Sequence, residues 1–233
     1  MTADRRKSAA GDGRWPMRYA VLGTGEVGRT LGGRLVELGH EVTLGSRVKD
    51  NPVALEWATA SAERARAGTF AEAAASAEVV INAVGGRVAL DALRAVGAEH
   101  LDGKVVVDVS NPLAFEDGQP RLDPVESDSV GEQIQRAFPH ARVVKTLNTV
   151  NCQVMVDPGR VPGAHHLFVC GEDAGAKEQV TALLGEFGWP AERVLDLGGI
   201  RAARVTEMYL PLWLTLMRTL GTADFNIEVR RAD

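Results

Sequence analysis

Short apolar runs alternate with amphipathic stretches along the chain from residue 17 onward. Five runs have the length and the Val, Leu and Ile content of buried strands. They cover residues 19–22, 40–44, 78–84, 104–108 and 141–145. Four stretches between them carry apolar residues at helical spacing or begin with helix-start residues. These stretches cover residues 27–38, 51–66, 87–96 and 128–138. Repeated strand–helix units of this length predict a mainly parallel sheet with helices on both faces, a doubly wound α/β fold.

The pattern is less regular after residue 150. Residues 165–170 and 193–197 are expected to form strands, 174–187 a helix, and 200–220 a long apolar helix. We interpret its apolar part, residues 208–220, as a helix that packs in the core or against another domain and is bent at Pro211, with a dimer contact as the alternative. Residues 1–16 are polar and basic and are expected to be a disordered extension. The predicted division is therefore that extension, a Rossmann-type domain over residues 17–150, and a smaller C-terminal α/β region over 151–233. Whether that region extends the same sheet stays open.

A glycine-rich turn follows the first predicted strand and leads into the first helix. Its spacing is Gly23-x-Gly25-x-x-Gly28. Gly23 permits a tight turn, Gly25 lets the backbone approach a pyrophosphate, and Gly28 allows the helix to pack closely on the strand. The context of strand, turn and helix is the one that this motif requires. The predicted pyrophosphate loop consists of Gly23, Thr24, Gly25, Glu26, Val27 and Gly28.

The end of the second strand distinguishes between the two nicotinamide coenzymes. An NAD-binding fold usually has Asp or Glu there, to accept a hydrogen bond from the ribose 2′-hydroxyl. This chain has Ser46 and Arg47, followed by Lys49. A hydroxyl and two cations suit a 2′-phosphate, and Thr24 offers a further hydroxyl. The sequence therefore predicts NADP(H), with a solvated basic loop as the alternative.

Three further strands end in polar or glycine-rich turns. In an open α/β sheet, ligands bind beyond the carboxyl ends of the strands, so these turns are expected to line a cleft. The candidate coenzyme-binding residues in them are Ala83, Val84, Gly85, Asn111, Pro112, Leu113 and Asn148. No acid–base constellation stands out. Lys145, Asn148 and Asn111 are the only candidates for a catalytic role, and Lys145 equally suits an ion pair at a strand end.

Composition excludes several classes of protein. The net charge is −5, and the 26 Lys and Arg residues form no basic stripe, so no nucleic-acid partner is expected. The longest apolar run is too short to span a membrane, and no signal peptide is visible. Cys152 and Cys170 suit buried, reduced thiols in a cytoplasmic protein. The adjacent histidines 165 and 166 lack metal-ligand spacing, so no metal is expected.

Taken together, these motifs resemble those of the F420-dependent NADP oxidoreductase family. The resemblance runs from about residue 17 to 229 and rests on five segments besides the glycine loop. These are Gly45-Ser-Arg47, Ser110-Asn-Pro112, Val144-Lys-Thr-Leu-Asn-Thr149, Thr206-Glu-Met-Tyr-Leu-Pro-Leu-Trp213 and Phe225-Asn-Ile227. The nucleotide-binding domain of eukaryotic metalloreductases is similar at a greater distance.

The resemblance implies a homodimer or higher homo-oligomer that moves hydride between NADPH and the deazaflavin coenzyme F420. It places the 2′-phosphate at Thr24, Ser46 and Arg47, and it assigns no acid–base residue. The chain departs from the family at one turn: it has Gly85-Gly86-Arg87 where members that use F420 commonly have a Pro-Trp-type turn. Two alternatives stay open. One is an NADPH-dependent reductase of flavin, ferric chelate, or a small imine or carbonyl, and the other is a non-enzymatic NADP(H) sensor.

Overall fold

A computed structural model describes residues 16–61 and 63–232 of the chain. All but the last residue of the predicted N-terminal extension, 1–16, therefore lies outside the described residues.

An eight-stranded sheet runs through the centre of the molecule. Its strands are β1 (Arg18–Leu22), β2 (Glu41–Ser46), β3 (Ala65–Thr69), β4 (Val79–Asn82), β5 (Val105–Asp108), β8 (Arg142–Thr146), β9 (Leu167–Cys170) and β10 (Val194–Asp196). The order across the sheet is β3-β2-β1-β4-β5-β8-β9-β10. The first six strands are parallel, which is the Rossmann order, and β9 joins β8 antiparallel. The doubly wound α/β fold predicted from the sequence is confirmed.

The helices cover both faces of this sheet. They are α1 (Glu26–Glu37), α2 (Pro52–Ala60), α3 (Phe70–Ser76), α4 (Gly86–Val96), α5 (Val130–Ala137), α6 (Cys152–Val156), α7 (Ala174–Glu186), α8 (Ala203–Met208) and α9 (Leu210–Leu220). Helices α1, α2, α6 and α7 bury apolar side chains against one face, and α3, α4, α5 and α8 against the other. Strands with apolar residues on both faces, such as Val105–Asp108, are buried throughout because helices cover both sides.

The structure corrects the predicted helix over residues 51–66. Helix α2 ends at Ala60, and the edge strand β3 and the short helix α3 follow before β4. Strand β3 has the sequence Ala-Arg-Ala-Gly-Thr and is half-exposed, so it lacks the apolar content by which the other strands were found. Its pairing with β2, rather than its side chains, makes it a strand.

The interpretation of residues 208–220 as a core helix is wrong. A break at Tyr209 separates α8 from α9, and Leu210 is the only buried residue of α9. The helix packs on the outside of the molecule, where Trp213 stacks on Phe225 at a centroid distance of 5.5 Å. Its apolar residues therefore remain largely accessible: Leu212 is 53% exposed and Leu220 is 54% exposed.

Two further elements had no counterpart in the sequence pattern. An antiparallel hairpin of β6 (Leu113–Glu116) and β7 (Gln119–Leu122) follows β5, and the one-and-a-half-turn helix α6 follows β8. Both are shorter than the window over which periodicity is visible.

The C-terminal region is attached to the same sheet. Strands β9 and β10 continue the sheet beyond β8, and the last residues return to the start of β9. There the backbone N–H of His166 donates to the carbonyl of Ile227 (2.9 Å), and the Asn151 amide donates to Asp224 Oδ1 (2.9 Å). Among the described residues, no helix has the length and the hydrophobicity that a membrane span requires.

Candidate coenzyme site

The glycine-rich loop between β1 and α1 has the backbone geometry that its motif predicts. Gly23 has φ +114°, and its N–H donates to the Gly45 carbonyl (2.9 Å). A Cβ atom at Gly23 would lie 2.8 Å from the Ala83 carbonyl oxygen, and one at Gly28 would lie 2.0 Å from the Gly23 carbonyl oxygen. Neither position accepts a side chain, because backbone atoms occupy the space. The loop is therefore locked between the ends of three strands.

Gly25 differs, because the space beside it is open. No atom lies within 4 Å of the position of its missing Cβ. Gly25 is also the N-cap of α1, and no side chain caps the helix. The first-turn N–H groups and the positive end of the helix dipole are thus available to an anion. Thr24 is half-buried and Glu26 and its neighbours follow in the first turn, so these residues fit a pyrophosphate through their backbone.

Arg47 is the cation at the end of β2 that is available for a 2′-phosphate. It is exposed, and it has no ion-pair partner within the described ranges. The Lys49 ammonium lies 3.0 Å from Glu72 Oε1, and this contact and the charge of Glu72 raise the pKa of Lys49. Ser46 is buried, and its hydroxyl bonds to the backbone of Val48. Ser46 therefore shapes the turn that presents Arg47.

Three loops follow neighbouring strands at the carboxyl edge of the sheet. They are residues 83–87 after β4, 109–113 after β5 and 147–150 after β8, and we call the space between them the coenzyme cleft. Their only titratable side chain is Arg87.

The loops after β5 and β8 are tied together by a reciprocal pair of asparagines. The Asn111 amide donates to the Asn148 carbonyl (2.8 Å), and the Asn148 amide donates to Asn111 Oδ1 (3.1 Å). Leu147, just before Asn148, has φ +64°, a left-handed conformation that costs a residue with a side chain about 1–2 kcal/mol. These two asparagines, chosen from the sequence as candidates, hold the cleft in shape.

The loop after β4 approaches the loop after β5 without a side chain between them. Gly86 N–H donates to the Asn111 carbonyl (3.0 Å), and a Cβ at Gly86 would lie 2.4 Å from the same oxygen. The position of Gly85 is open, with nothing within 4 Å. The Gly85-Gly86 turn therefore brings the start of α4 against the backbone of Asn111 and Pro112, and it leaves free space at Gly85.

Lys145 lies beneath the cleft and faces the protein interior. Its ammonium is within 2.8 Å of Asp108 Oδ2, 2.8 Å of Glu207 Oε1 and 2.6 Å of the Ser110 carbonyl. An ammonium has three hydrogens, and here each has an acceptor. Lys145 is 1% exposed. The structure thus places it in the ion pair that the sequence offered as the alternative, and its role as a proton donor to a substrate has no geometric support.

Glu207 completes this buried cluster and was missed as a functional residue. Its carboxylate accepts from the backbone N–H groups of Val130 (2.9 Å) and Gly131 (3.2 Å) at the start of α5. Burial raises the pKa of Glu207, and the Lys145 ammonium opposes that rise. Burial alone lowers the pKa of Lys145, but attraction to Asp108 and Glu207 outweighs it, so that pKa is raised and the ammonium stays charged. The segment Thr206-Glu-Met-Tyr was the available sequence signal.

Three buried polar atoms at the same edge have no hydrogen-bond partner in the described chain. They are Asn82 Oδ1, Ser110 Oγ and Thr149 Oγ1. Buried polar atoms in proteins nearly always have partners, so unpaired ones at a strand edge indicate a place where a polar ligand or water is bound. Ser110 and Thr149 lie in the loops after β5 and β8, so their hydroxyl groups are unpaired groups beside the coenzyme cleft.

The remaining titratable candidates serve the fold. Cys152 and Cys170 are free and buried, as expected, and burial raises the pKa of Cys170 to about 12. His40 lies 2.8 Å from Glu186, and His165 contacts Asn226. No cluster of potential metal ligands occurs among the residues that the structure describes.

Comparison with known proteins identifies the family. The family model described as NADP oxidoreductase, coenzyme F420-dependent, matches residues 18–112. The crystal structure of a candidate F420-dependent NADP reductase from Arthrobacter sp. FB24 is 49% identical and superposes with a TM-score of 0.87. The match covers 92% of this chain and 100% of that one. The chain belongs to the F420-dependent NADP oxidoreductase family.

This member of the F420-dependent NADP oxidoreductase family is also similar to two curated proteins from other organisms. The F420-dependent NADP reductase of Methanothermobacter marburgensis is 29% identical over 210 residues, 86% of this chain and 92% of the relative. The metalloreductase STEAP3 of Rattus norvegicus is 31% identical over 200 residues. That match covers 84% of this chain, which spans only 38% of the length of the rat protein.

Proposed function

We propose that this protein transfers hydride between NADP(H) and the deazaflavin coenzyme F420. The observation that carries the proposal is the make-up of the three cleft loops next to the NADP(H)-type glycine loop. They contain no carboxylate, histidine or lysine, and Arg87 is their only titratable side chain. When bound, the two coenzymes supply the redox chemistry, in which a hydride passes between carbon atoms of the nicotinamide and of the deazaflavin. Such a transfer requires alignment and exclusion of water more than a protein acid.

In this proposal, separate groups of residues bind the coenzyme, set the width of the cleft and support the cleft from below. The backbone of Gly23 to Gly28 holds the pyrophosphate, and Arg47 pairs with the 2′-phosphate. The Asn111–Asn148 pair fixes the separation of two cleft walls. Lys145, Asp108 and Glu207 hold the strand ends and α8 in position from below. The open space at Gly85 takes part of the second coenzyme.

The likeness to STEAP3, a metalloreductase, favours a second candidate, in which the hydride passes to a free flavin or serves ferric-chelate reduction. The two candidates share the NADP(H) site and differ in the acceptor alone.

The deciding experiment mixes purified protein with NADPH and oxidised F420 and follows the loss of the visible absorbance of the deazaflavin. Parallel reactions contain NADH in place of NADPH, and FMN, FAD or a ferric chelate in place of F420. We expect rapid bleaching in the reaction that contains NADPH and F420 and none of comparable rate in the parallel reactions. Turnover of flavin or ferric chelate with an unreactive F420 would move the assignment to the second candidate.

We also infer that the enzyme is a cytoplasmic homodimer. The two buried free thiols suit a reducing compartment. The accessible apolar residues on the outer side of α8 and α9, among them Val205, Leu212 and Leu220, form a surface that suits a second copy of the chain.

A further inference from the structure

A groove lined with arginine side chains runs between the β6–β7 hairpin and α9. It has a volume of about 230 Å³. The hairpin contributes Leu113, Arg121 and Leu122, and α9 contributes Leu214, Thr215 and Arg218. We call this the arginine groove. The residues that line it include two guanidinium groups and no carboxylate, although the whole chain carries a net charge of −5.

The arginine groove begins where the coenzyme cleft ends. Leu113 is the last residue of the cleft loop after β5 and the first of the hairpin. The hairpin is anchored at this point, because the N–H of Asp123 donates to the Pro112 carbonyl (2.8 Å). Leu113 therefore belongs both to a loop of the coenzyme cleft and to the lining of the arginine groove.

The two arginines are available to an anion. Arg218 has no hydrogen bond or ion pair within the described part of the chain. Arg121 is 49% exposed, and its guanidinium lies 3.4 Å from Glu116 and 3.7 Å from Asp123, both of which are more exposed still. Ion pairs of this kind, exposed and without a hydrogen bond, contribute about 0–1 kcal/mol and give way to a better partner. A phosphodiester or carboxylate accepts two parallel hydrogen bonds from one guanidinium.

NADP(H) does not account for these cations. Its phosphates are expected at the N-terminus of α1 and at Arg47, beside β1 and β2, whereas the groove follows β5 and leads away to α9.

We propose that the arginine groove binds the anionic side chain of the deazaflavin coenzyme, its phosphodiester and terminal carboxylates, while the ring system lies in the coenzyme cleft. The proposal rests on the proposed function and adds a binding determinant to it. Arg121 and Arg218 contact the side chain and not the reacting atoms, so they set the affinity for the intact coenzyme and leave the hydride step unchanged.

The test compares two ligands by fluorescence titration: intact oxidised F420, and its riboflavin-like precursor, which has the same ring but neither phosphate nor glutamates. We expect the wild-type protein to bind the intact coenzyme at least about tenfold more tightly, because one charge-assisted contact is worth about 1.5–3 kcal/mol. The double substitution Arg121→Gln with Arg218→Gln should remove that preference. Binding of the precursor and of NADPH should not change. Arg66→Gln is the matched control, because Arg66 is an exposed arginine on the edge strand β3 and does not line the groove.

Salt gives an independent measurement. Raising the ionic strength from about 0.05 M to about 0.5 M should weaken binding of intact F420 to the wild type and have little effect on the double variant, since exposed charge pairs are screened. Equal affinity of the wild type for the two ligands, or a preference that survives in the double variant, would overturn the groove assignment and leave the proposed function intact. Failure of both deazaflavins to bind while NADPH still binds would reject the proposed function and the groove together.

Discussion

At the scale of single residues, close backbone contacts decide which glycines are essential. The chain has 25 glycines, and five of them lie in α1 and the loop before it, at positions 23, 25, 28, 32 and 33. Two of these, Gly28 and Gly33, are both within the helix, but only Gly28 faces another backbone atom. Glycine is therefore required by close packing at position 28, whereas the space beside Gly33 would accept a side chain.

Substitution of Gly28 by alanine should damage the coenzyme site. The new Cβ would lie 2.0 Å from the Gly23 carbonyl oxygen, so α1 or the loop must move. We expect a loss of stability of about 1–3 kcal/mol in urea unfolding, the usual cost of overpacking, together with loss of NADPH binding. Gly33→Ala is the control: nothing lies within 4 Å, and alanine in a helix should stabilise by about 0.5–1 kcal/mol. Equal effects of the two substitutions would show that the close approach is not rigid.

The choice between NADPH and NADH is also argued at single residues. Arg47→Ala should weaken NADPH about tenfold or more in a binding titration and leave NADH unchanged, because a charge-assisted bond to the 2′-phosphate is lost. Lys49→Ala should have a smaller effect, since the Lys49 ammonium already pairs with Glu72. An equal loss of NADH affinity in Arg47→Ala would place Arg47 against the adenine ring or the ribose instead of the phosphate.

At the scale of elements, buried charges join pieces that are distant in the sequence. Asp108 ends β5, Lys145 lies in β8 and Glu207 lies in α8, yet the three side chains meet with 0–2% exposure. Glu207 also caps α5 through Val130 and Gly131, and the Arg204 guanidinium forms two 2.7 Å bonds to Glu132 of the same helix. Helix α8 is thereby fixed to both the sheet edge and α5.

Removal of the central charge should be costly. Lys145→Met leaves Asp108 and Glu207 buried without a cation, and breaking a buried ion pair from one side typically costs about 3–5 kcal/mol. Urea unfolding measures the loss. Lys49→Met is the control, because the side chains of Lys49 and its partner Glu72 are 69% and 47% exposed, and we expect a change below about 1 kcal/mol. Addition of Glu207→Gln to Lys145→Met should recover part of the stability, since one unpaired charge is removed. A cost for Lys145→Met as small as that of the control would mean that water reaches the cluster.

At the scale of the whole molecule, α9 is the helix whose apolar side chains the single chain does not bury. A helix of eleven residues with eight apolar side chains buries only Leu210. Its inner side packs on Phe225, a second side borders the arginine groove, and the third presents Leu212 and Leu220 to the outside. An apolar side without a covering element is typical of a subunit interface.

The inferred homodimer predicts that charge on the outer side of α9 will separate the subunits. Leu212→Glu with Leu220→Glu should halve the mass measured by light scattering after size-exclusion chromatography, because a carboxylate is costly in a buried apolar contact. Leu55→Glu, on α2 and 45% exposed, should leave the mass unchanged. A wild-type protein that is already monomeric at high concentration would remove this surface as an interface.

The local sequence determined the parallel core of the sheet, the glycine loop and the cations after β2. Each of these depends on neighbours within a few residues: apolar runs long enough to form buried strands, a Gly-x-Gly-x-x-Gly turn between strand and helix, and the residue types at one strand end. Period and composition record such short-range requirements directly.

Tertiary structure decided the rest, because the physical cause lies across the sequence. Strand β3 forms because it pairs with β2. Lys145 cannot donate a proton to a substrate because its ammonium is paired with Asp108 and Glu207. Helix α9 lies at the surface because other helices already cover both faces of the sheet. A sequence as apolar as that of α9 is found both in core helices and in helices at subunit interfaces. Only packing determines which of the two it is, since hydrophobic burial depends on what lies opposite a side chain and carries no direction of its own.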